Sequence, residues 1–282
     1  MKWRTLVSPA ELAARIDEPE ILVVDCRFDL AHPRIGLQAY AEGHLPRAVY
    51  ADLEADLSAE PGPLDGRHPL PDPDELARKL GGWGIGDGTQ VVAYDDAGGA
   101  WAGRLWWLLR WLGHERVAVL DGGVPAWIAE GYALSREEAA RSPRSFTPSP
   151  DSAMMIDVAT LAQELERGAC RLVDVRAAAR FRGEQEPIDP VAGHVPGAVN
   201  RPFAENLDPS GRFLPAVQLA GALQELCAGL APERVVAMCG SGVTACHLLL
   251  AMAHAGLPVG RLYPGSWSEW IRDPRRSVAV GE

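Results

Sequence analysis

The chain has 282 residues, and its 27 Lys and Arg against 38 Asp and Glu give a formal net charge of −11 at pH 7. A hydrophobic share of 47% and a charged share of 23% are values of a globular protein and exclude a disordered chain. The acidic balance argues against nucleic acid or an anionic membrane as the main partner, although a local arginine can still hold a small anion.

Helices and short apolar strands alternate in the first half of the chain. Residues 7–16 are predicted to form a helix, because Ser8 can cap it, Pro9 suits its first position and Glu11 completes a capping box. The later predicted elements are a buried strand at 21–25, a helix at 71–85, a buried strand at 91–94 and a helix at 102–113. Short buried strands that alternate with helices predict a parallel α/β sheet.

The second half repeats this order, which indicates a duplicated domain. Strands at 171–176 and 235–238 are followed by a helix at 244–256. Gly-His-x-Pro turns begin at Gly43 and Gly193, and Trp127 and Trp270 stand near the end of each copy. We therefore predict a first domain at 1–134, a Ser- and Pro-rich linker at 135–152 and a second domain at 153–282.

The spacing of the cysteines and the length of the apolar stretches indicate in which cellular compartment the protein is expected. The five cysteines form no CxxC pair, and the seven histidines show no zinc-ligand spacing. We therefore expect a reduced, cytoplasmic location with no metal or organic cofactor. Residues 1–20 lack the apolar core of a secretory signal, and the apolar stretch at 105–112 is too short to span a membrane.

One cysteine stands apart by its position. Cys239 directly follows the strand at 235–238 and opens the run Cys-Gly-Ser-Gly-Val-Thr at 239–244, after which a helix begins. Ligands of open α/β sheets bind beyond the carboxyl ends of the strands, where Cys239 lies and where the first copy has Asp95. The glycine-rich loop and the helix N-terminus offer N–H groups to an anion, which favours the reactive thiolate over the thiol.

Other recurring residues are interpreted as structural. The turn histidines His44 and His194 are predicted to stabilise their turns through hydrogen bonds. Ion pairs are predicted between Asp and Arg residues that end the first strand of each copy, namely Asp25 with Arg27 and Asp174 with Arg176. Packing roles are predicted for the tryptophans at helical spacing, which are Trp101, Trp106, Trp107 and Trp111.

Over essentially its whole length the sequence resembles the two-domain rhodanese-like sulfurtransferases. The resemblance rests on the loop at 239–245, the Gly-His-x-Pro turns, the Arg-Phe-Arg-Gly run at 180–183 and the Gly-Ser-Trp-Ser-Glu-Trp run at 265–270. The loop is similar to the 3-mercaptopyruvate branch, since thiosulfate-preferring members carry Arg-Lys after the cysteine. The resemblance implies two tandem domains, each a parallel five-stranded sheet flanked by helices, of which the first is inactive because Asp95 replaces the cysteine.

The resemblance also implies catalytic roles. Cys239 would be the sulfur-accepting nucleophile, and Ser241 would act with His68 and with an acidic residue, Glu54 or its neighbour Asp52. From the residues alone, His68 could equally be an ordinary loop histidine. Substrate contacts are implied for the remaining loop residues, which are Gly240, Gly242, Val243 and Thr244.

The resemblance assigns the substrate carboxylate to Arg180, and an arginine can clamp such a group with two parallel hydrogen bonds. The alternative from the residues alone is a solvated ion pair between Arg180 and Glu184. Some members carry a second arginine nearby, but the loop at 184–193 has none. The loop at 239–244 has no cation to assist the departure of sulfite either, which argues against thiosulfate as the preferred donor.

The predicted reaction moves a sulfane sulfur from a small anionic donor, 3-mercaptopyruvate, through a Cys239 persulfide to a thiol or cyanide acceptor. A thioredoxin-like reductant is a candidate partner, and neither nucleic acid nor a membrane is expected. The open alternatives are a thiosulfate sulfurtransferase and a non-enzymatic persulfide carrier or scaffold. A cysteine phosphatase is disfavoured because it needs an arginine where this chain has Ala245.

Overall fold

The structure is a computed structural model, and it describes residues 3–139 and 141–282. The chain folds into two compact units. The first contains the residues up to Ala59 with Pro71–Asp151 and Asp208–Phe213, and the second contains Glu60–Leu70, Ser152–Leu207 and Leu214–Glu282. The segment Glu60–Leu70 therefore joins the unit built by the second half of the sequence. The domain limits at 134 and 153 and the linker between them stay a prediction.

The first unit contains a parallel sheet of five strands in the order β1-β5-β4-β2-β3. The strands are β1 (Leu6–Val7), β2 (Ile21–Asp25), β3 (Ala48–Tyr50), β4 (Gln90–Tyr94) and β5 (Val117–Leu120). The helices are α1 (Pro9–Ala13), α2 (Ile35–Glu42), α3 (Pro73–Gly82), α4 (Ala102–Trp111) and α5 (Gly123–Ala129). The capping box predicted from Ser8 and Glu11 is present at the start of α1.

The second unit contains a parallel sheet of four strands in the order β7-β6-β8-β9. The strands are β6 (Arg171–Asp174), β7 (Val199–Asn200), β8 (Val235–Met238) and β9 (Arg261–Leu262). The helices are α6 (Val158–Glu166), α7 (Ala178–Phe181), α8 (Ala216–Leu226), α9 (Ala245–His254) and α10 (Ser266–Trp270). The expected fifth strand is reduced to one parallel bridge between Met155 and Leu262, because Ser152–Met154 form a 3-10 turn instead of extended chain.

Each unit buries an apolar core along its sheet. All residues of β2 and β4 are buried, as expected of parallel strands that are covered on both faces. In the second unit β8 is wholly buried, and Val236 and Met238 pack in one cluster with Trp267. Each fully buried valine or leucine contributes about 2 kcal/mol to folding, so the strand ends are held firmly in place. Trp106 and Trp107 are fully buried, which confirms their packing role.

The polar residues that recur in both copies make matching contacts. An arginine Nη2 lies 2.6 Å from an aspartate Oδ2 in both ion pairs, Asp25 with Arg27 and Asp174 with Arg176. A histidine Nδ1 lies 2.8 Å from a main-chain carbonyl oxygen in both turns, His44 with Tyr40 and His194 with Phe181. Their structural interpretation is confirmed.

No helix within residues 3–139 and 141–282 has the length and apolar character needed to cross a membrane. The same residues contain no cluster of three or more His, Cys, Asp or Glu side chains that could hold a metal ion.

Candidate active site

Cys239 lies at the carboxyl edge of the second sheet, directly after β8. Its main chain is fixed on both sides. The Cys239 N–H donates to Ser266 Oγ at 3.0 Å, and its carbonyl accepts the N–H of Trp267 at 3.1 Å. The residue is 2% exposed, so its thiol is reached through the groups that border it and not from open solvent.

The loop after Cys239 turns tightly at Gly242, which has a φ of +77°. A β-carbon at Gly242 would lie 2.2 Å from the carbonyl oxygen of Pro264, so no larger residue fits. The turn leads through the buried Val243 to Thr244, which precedes α9. The predicted order of strand, glycine loop and helix is thus present around the cysteine.

The corresponding loop of the first unit binds an anion that belongs to the chain itself. Asp95 follows β4 as Cys239 follows β8, and its carboxylate is fully buried. It accepts four backbone N–H groups at 2.8–2.9 Å, those of Ala97, Gly99, Trp101 and Ala102. The loop type can therefore gather N–H groups around a negative charge at this position.

Three residues of the second loop stand at the places of Ala97, Gly99 and Trp101, namely Ser241, Val243 and Ala245. Within the described part of the chain, no protein acceptor bonds their backbone N–H groups. These N–H groups border Cys239 in sequence, so they are the donors available to a charge on its sulfur.

His68 and Ser241 meet in the second unit. His68 Nδ1 lies 2.8 Å from Ser241 Oγ, and both residues are buried. His68 lies on the segment Glu60–Leu70, and Ser268 links this segment to the loop after Cys239 by hydrogen bonds. Ser268 Oγ accepts the N–H of Arg67 at 3.0 Å, while the Ser268 N–H donates to the carbonyl of Gly240 at 2.9 Å. A catalytic role for His68 stays a prediction, as does its interpretation as an ordinary loop histidine.

Arg180 lies beside the loop, but its ionic partners differ from the alternative considered above. It binds Glu186 through Nη2 at 2.7 Å and Asp189 through the same atom at 3.2 Å. Glu184 pairs instead with Arg182 at 2.7 Å. The solvated pair between Arg180 and Glu184 is therefore wrong, because the chain at 184–189 turns its buried carboxylates toward Arg180.

A second arginine, Arg67, reaches the same place from outside the loop at 184–193. Its Nη1 forms an ion pair with Asp189 Oδ1. A β-carbon built on Gly240 would lie 2.9 Å from Arg67 Nη2 and 3.7 Å from both terminal nitrogens of Arg180. The loops at 184–193 and 239–244 contain no further cation, and Arg67 comes to Gly240 from a different segment. The sequence did not predict this position of Arg67, because no pattern in it places Glu60–Leu70 in the second unit.

Two buried carboxylates, Asp189 and Glu186, lie between these arginines, and their pKa values shift in opposite directions. Burial raises the pKa of Asp189, although two guanidinium groups contact its carboxylate. Burial acts in the same direction on Glu186, but the hydrogen bonds from Arg180 and from the Asp189 N–H outweigh it and lower the pKa of Glu186. Asp189 is thus the more weakly held of the two negative charges.

The proposed acidic partners of His68 lie in the first unit. Glu54 is exposed, and its N–H donates to Asp52 Oδ1 at 2.9 Å. The same oxygen accepts the N–H of Ala55 at 2.9 Å, so Asp52 caps its own turn. A role for Glu54 or Asp52 beside His68 stays a prediction.

The family model described as "Rhodanese-like domain" matches residues 8–130 and 157–273. A curated Pseudomonas aeruginosa protein named "Probable 3-mercaptopyruvate sulfurtransferase" is 53% identical over 284 residues and is covered completely, as is this chain. A Mycobacterium tuberculosis protein named "Putative thiosulfate sulfurtransferase SseB" is 39% identical over 99% of this chain and 98% of its own length.

A solved structure agrees with these sequence matches. The crystal structure of SseA from Escherichia coli, titled as that of a 3-mercaptopyruvate sulfotransferase, superposes with a TM-score of 0.80 at 32% identity. The match covers 95% of this chain and 100% of the other.

Proposed function

Because the chain belongs to the rhodanese-like domain family, we propose that it is a sulfurtransferase that takes sulfur from 3-mercaptopyruvate and carries it as a persulfide on Cys239. The observation that carries this proposal is the 2.8 Å contact between His68 and Ser241, two residues after Cys239. A buried Ser–His pair beside a thiol can move a proton to and from the reacting atoms.

In the proposed reaction the Cys239 thiolate attacks the sulfur of 3-mercaptopyruvate. The new S–S bond forms as the bond between that sulfur and C3 breaks, and its electron pair forms the enolate of pyruvate. The proton of the attacked thiol moves to C3 through Ser241 and His68, which leaves pyruvate and a persulfide anion. The N–H groups of Ser241, Val243 and Ala245 stabilise the negative charge on sulfur.

The second half-reaction returns the cysteine to its thiolate. The terminal sulfur passes to a thiol or to cyanide, the S–S bond breaks, and its electron pair stays on Cys239. A thioredoxin-like reductant in the cytoplasm is the proposed protein partner. Arg180 is the proposed holder of the donor's carboxylate, since its guanidinium lies beside Gly240.

Thiosulfate is the second candidate donor. Two guanidinium groups beside Gly240 provide hydrogen-bond donors for a dianion and its sulfite leaving group. A persulfide carrier without turnover would instead load Cys239 only in the presence of a protein donor.

The test is pyruvate release from 3-mercaptopyruvate with cyanide as acceptor, run beside thiocyanate formation from thiosulfate. We expect Cys239→Ser to remove turnover by at least about a thousandfold and to keep the fold, since the side chains are similar in size. Cys170→Ser is the matched control, because burial raises the pKa of Cys170 to about 11 and makes it unreactive. Turnover by Cys239→Ser, or none by the wild-type protein, would reject the proposal.

A further inference from the structure

We propose that Asp189 is a specificity-determining residue, because it joins Arg67 and Arg180 into one anion seat and cancels one of their charges. The seat then favours a monoanionic carboxylate donor over the dianion thiosulfate. This inference rests on the proposed function, whose nucleophile lies next to the seat, and it gives roles to Asp189 and Arg67, to which the family resemblance assigned none.

Asp189 contacts both arginines at once. One carboxylate oxygen binds Arg67 Nη1 and the other lies 3.2 Å from Arg180 Nη2. The Asp189 side chain is 3% exposed, so this bridge is formed away from bulk water. Glu186 fixes the position of Asp189 by accepting its backbone N–H at 3.1 Å. The bridge therefore sets the separation and the angle of the two guanidinium groups.

The bridge leaves donors directed at the loop. Arg67 Nη2 would lie 2.9 Å from a β-carbon on Gly240, and this atom bonds no other group in the part of the chain that the structure describes. Arg67 Nε is buried and equally unpartnered among these residues. Unsatisfied charged donors next to a reactive cysteine fit an anionic part of the substrate.

The charges around the seat balance. Arg67 and Arg180 bring two positive charges, and Glu186 and Asp189 bring two negative ones. Arg176 contacts Glu186 as well, at 3.3 Å, but its charge is balanced by Asp174 at 2.6 Å. Without a net positive charge around the seat, every negative charge on the donor weakens its binding, and thiosulfate carries one more than the carboxylate donor. Across several ångströms at an effective dielectric constant of about 20, one unit charge changes the binding of another by about tenfold or more.

The test compares two variants of opposite charge effect. Asp189→Asn keeps the size of the side chain and removes its negative charge, so we expect the ratio of kcat/KM for thiosulfate to that for 3-mercaptopyruvate to rise about tenfold. Arg67→Gln removes a positive charge, and we expect the same ratio to fall by about tenfold. Damage to the fold would lower kcat/KM for both donors together. It would not raise the ratio in one variant and lower it in the other.

Two further variants and one binding measurement complete the test. Glu184→Gln is the matched control in the same segment, since Glu184 is exposed and pairs with Arg182, and its ratio should match the wild type. Asp189→Glu keeps the charge and should keep the ratio. In the Cys239→Ser background, calorimetry measures the binding of pyruvate and of thiosulfate without sulfur transfer, so a failure of the proposed function stays distinguishable from a failure of this inference. Equal ratios in wild type, Asp189→Asn and Arg67→Gln would overturn the inference.

Discussion

Ser266 adopts a left-handed backbone conformation that serine rarely takes, with a φ of +53°. Its Oγ accepts the N–H of Cys239 at 3.0 Å and donates to the carbonyl of Tyr263 at 3.0 Å. The corresponding residue of the first unit is Gly123, with a φ of +57°, and there no cysteine needs a partner. The second copy therefore contains a backbone strain of about 1–2 kcal/mol at Ser266, and the Ser266 hydroxyl that comes with it fixes the main chain of Cys239.

Replacement of Ser266 separates the strain from the hydrogen bond. Ser266→Ala keeps the β-carbon at positive φ and leaves the buried Cys239 N–H without its acceptor, whereas Ser266→Gly loses the acceptor but relieves the strain. We expect the free energy of unfolding to fall in the order Ser, Gly, Ala, with about 1 kcal/mol between Gly and Ala. Urea denaturation measures this order. An alanine variant as stable as the glycine variant would contradict the strain argument.

At the scale of elements, the sequence predicted those parts that depend on neighbouring residues. The buried strands, the capping box at Ser8 and the loop after Cys239 follow from local apolar patterns, caps and glycines. The pairing of His68 with Ser241 came from family resemblance, since 173 positions separate them in sequence. The position of Arg67 could not be predicted, because it depends on tertiary contacts of a segment without regular structure.

That segment, Glu60–Leu70, docks through a close backbone approach at Gly66. A β-carbon there would lie 2.4 Å from the Gly265 carbonyl oxygen and 3.0 Å from Ser268 Oγ. Gly66 directly precedes Arg67 and His68, so any displacement of the backbone moves both functional side chains. Local packing at one glycine thereby determines the geometry of the candidate site.

We expect Gly66→Ala to lower kcat/KM for sulfur transfer by about 10- to 100-fold, because a shift of about 1 Å in a catalytic group can have this effect. The core of the second unit is untouched, so the melting temperature should change little. Gly82→Ala is the control, since a β-carbon on Gly82 meets no atom within 4 Å. Unchanged kcat/KM in a folded Gly66→Ala protein would show that the segment does not position the site.

At the scale of the whole molecule, duplication has produced two loops of one geometry with different chemistry. Gly98 and Gly242 take corresponding positions with φ of +66° and +77°, and each loop starts at the carboxyl end of a buried strand. In the first unit the Asp95 carboxylate occupies the centre of the loop permanently. In the second unit Cys239 stands there, and we propose that its sulfur reacts with the substrates. The first copy thus shows that a loop of this type binds an anion.

We expect the negative charge of Asp95 to stabilise the first unit. In Asp95→Asn, an amide NH2 group would face backbone N–H groups that now donate to the Asp95 carboxylate, and two donors cannot bond each other. We therefore expect a loss of about 3 kcal/mol in the free energy of unfolding. Tryptophan fluorescence in urea reports the transition, because most of the nine tryptophans lie in the first unit. Asp29→Asn is the control, since one exposed oxygen of Asp29 accepts two N–H groups at 2.8 Å and asparagine keeps that oxygen. If both variants lose the same stability, the loop has no preference for an anion, and the parallel drawn with Cys239 fails.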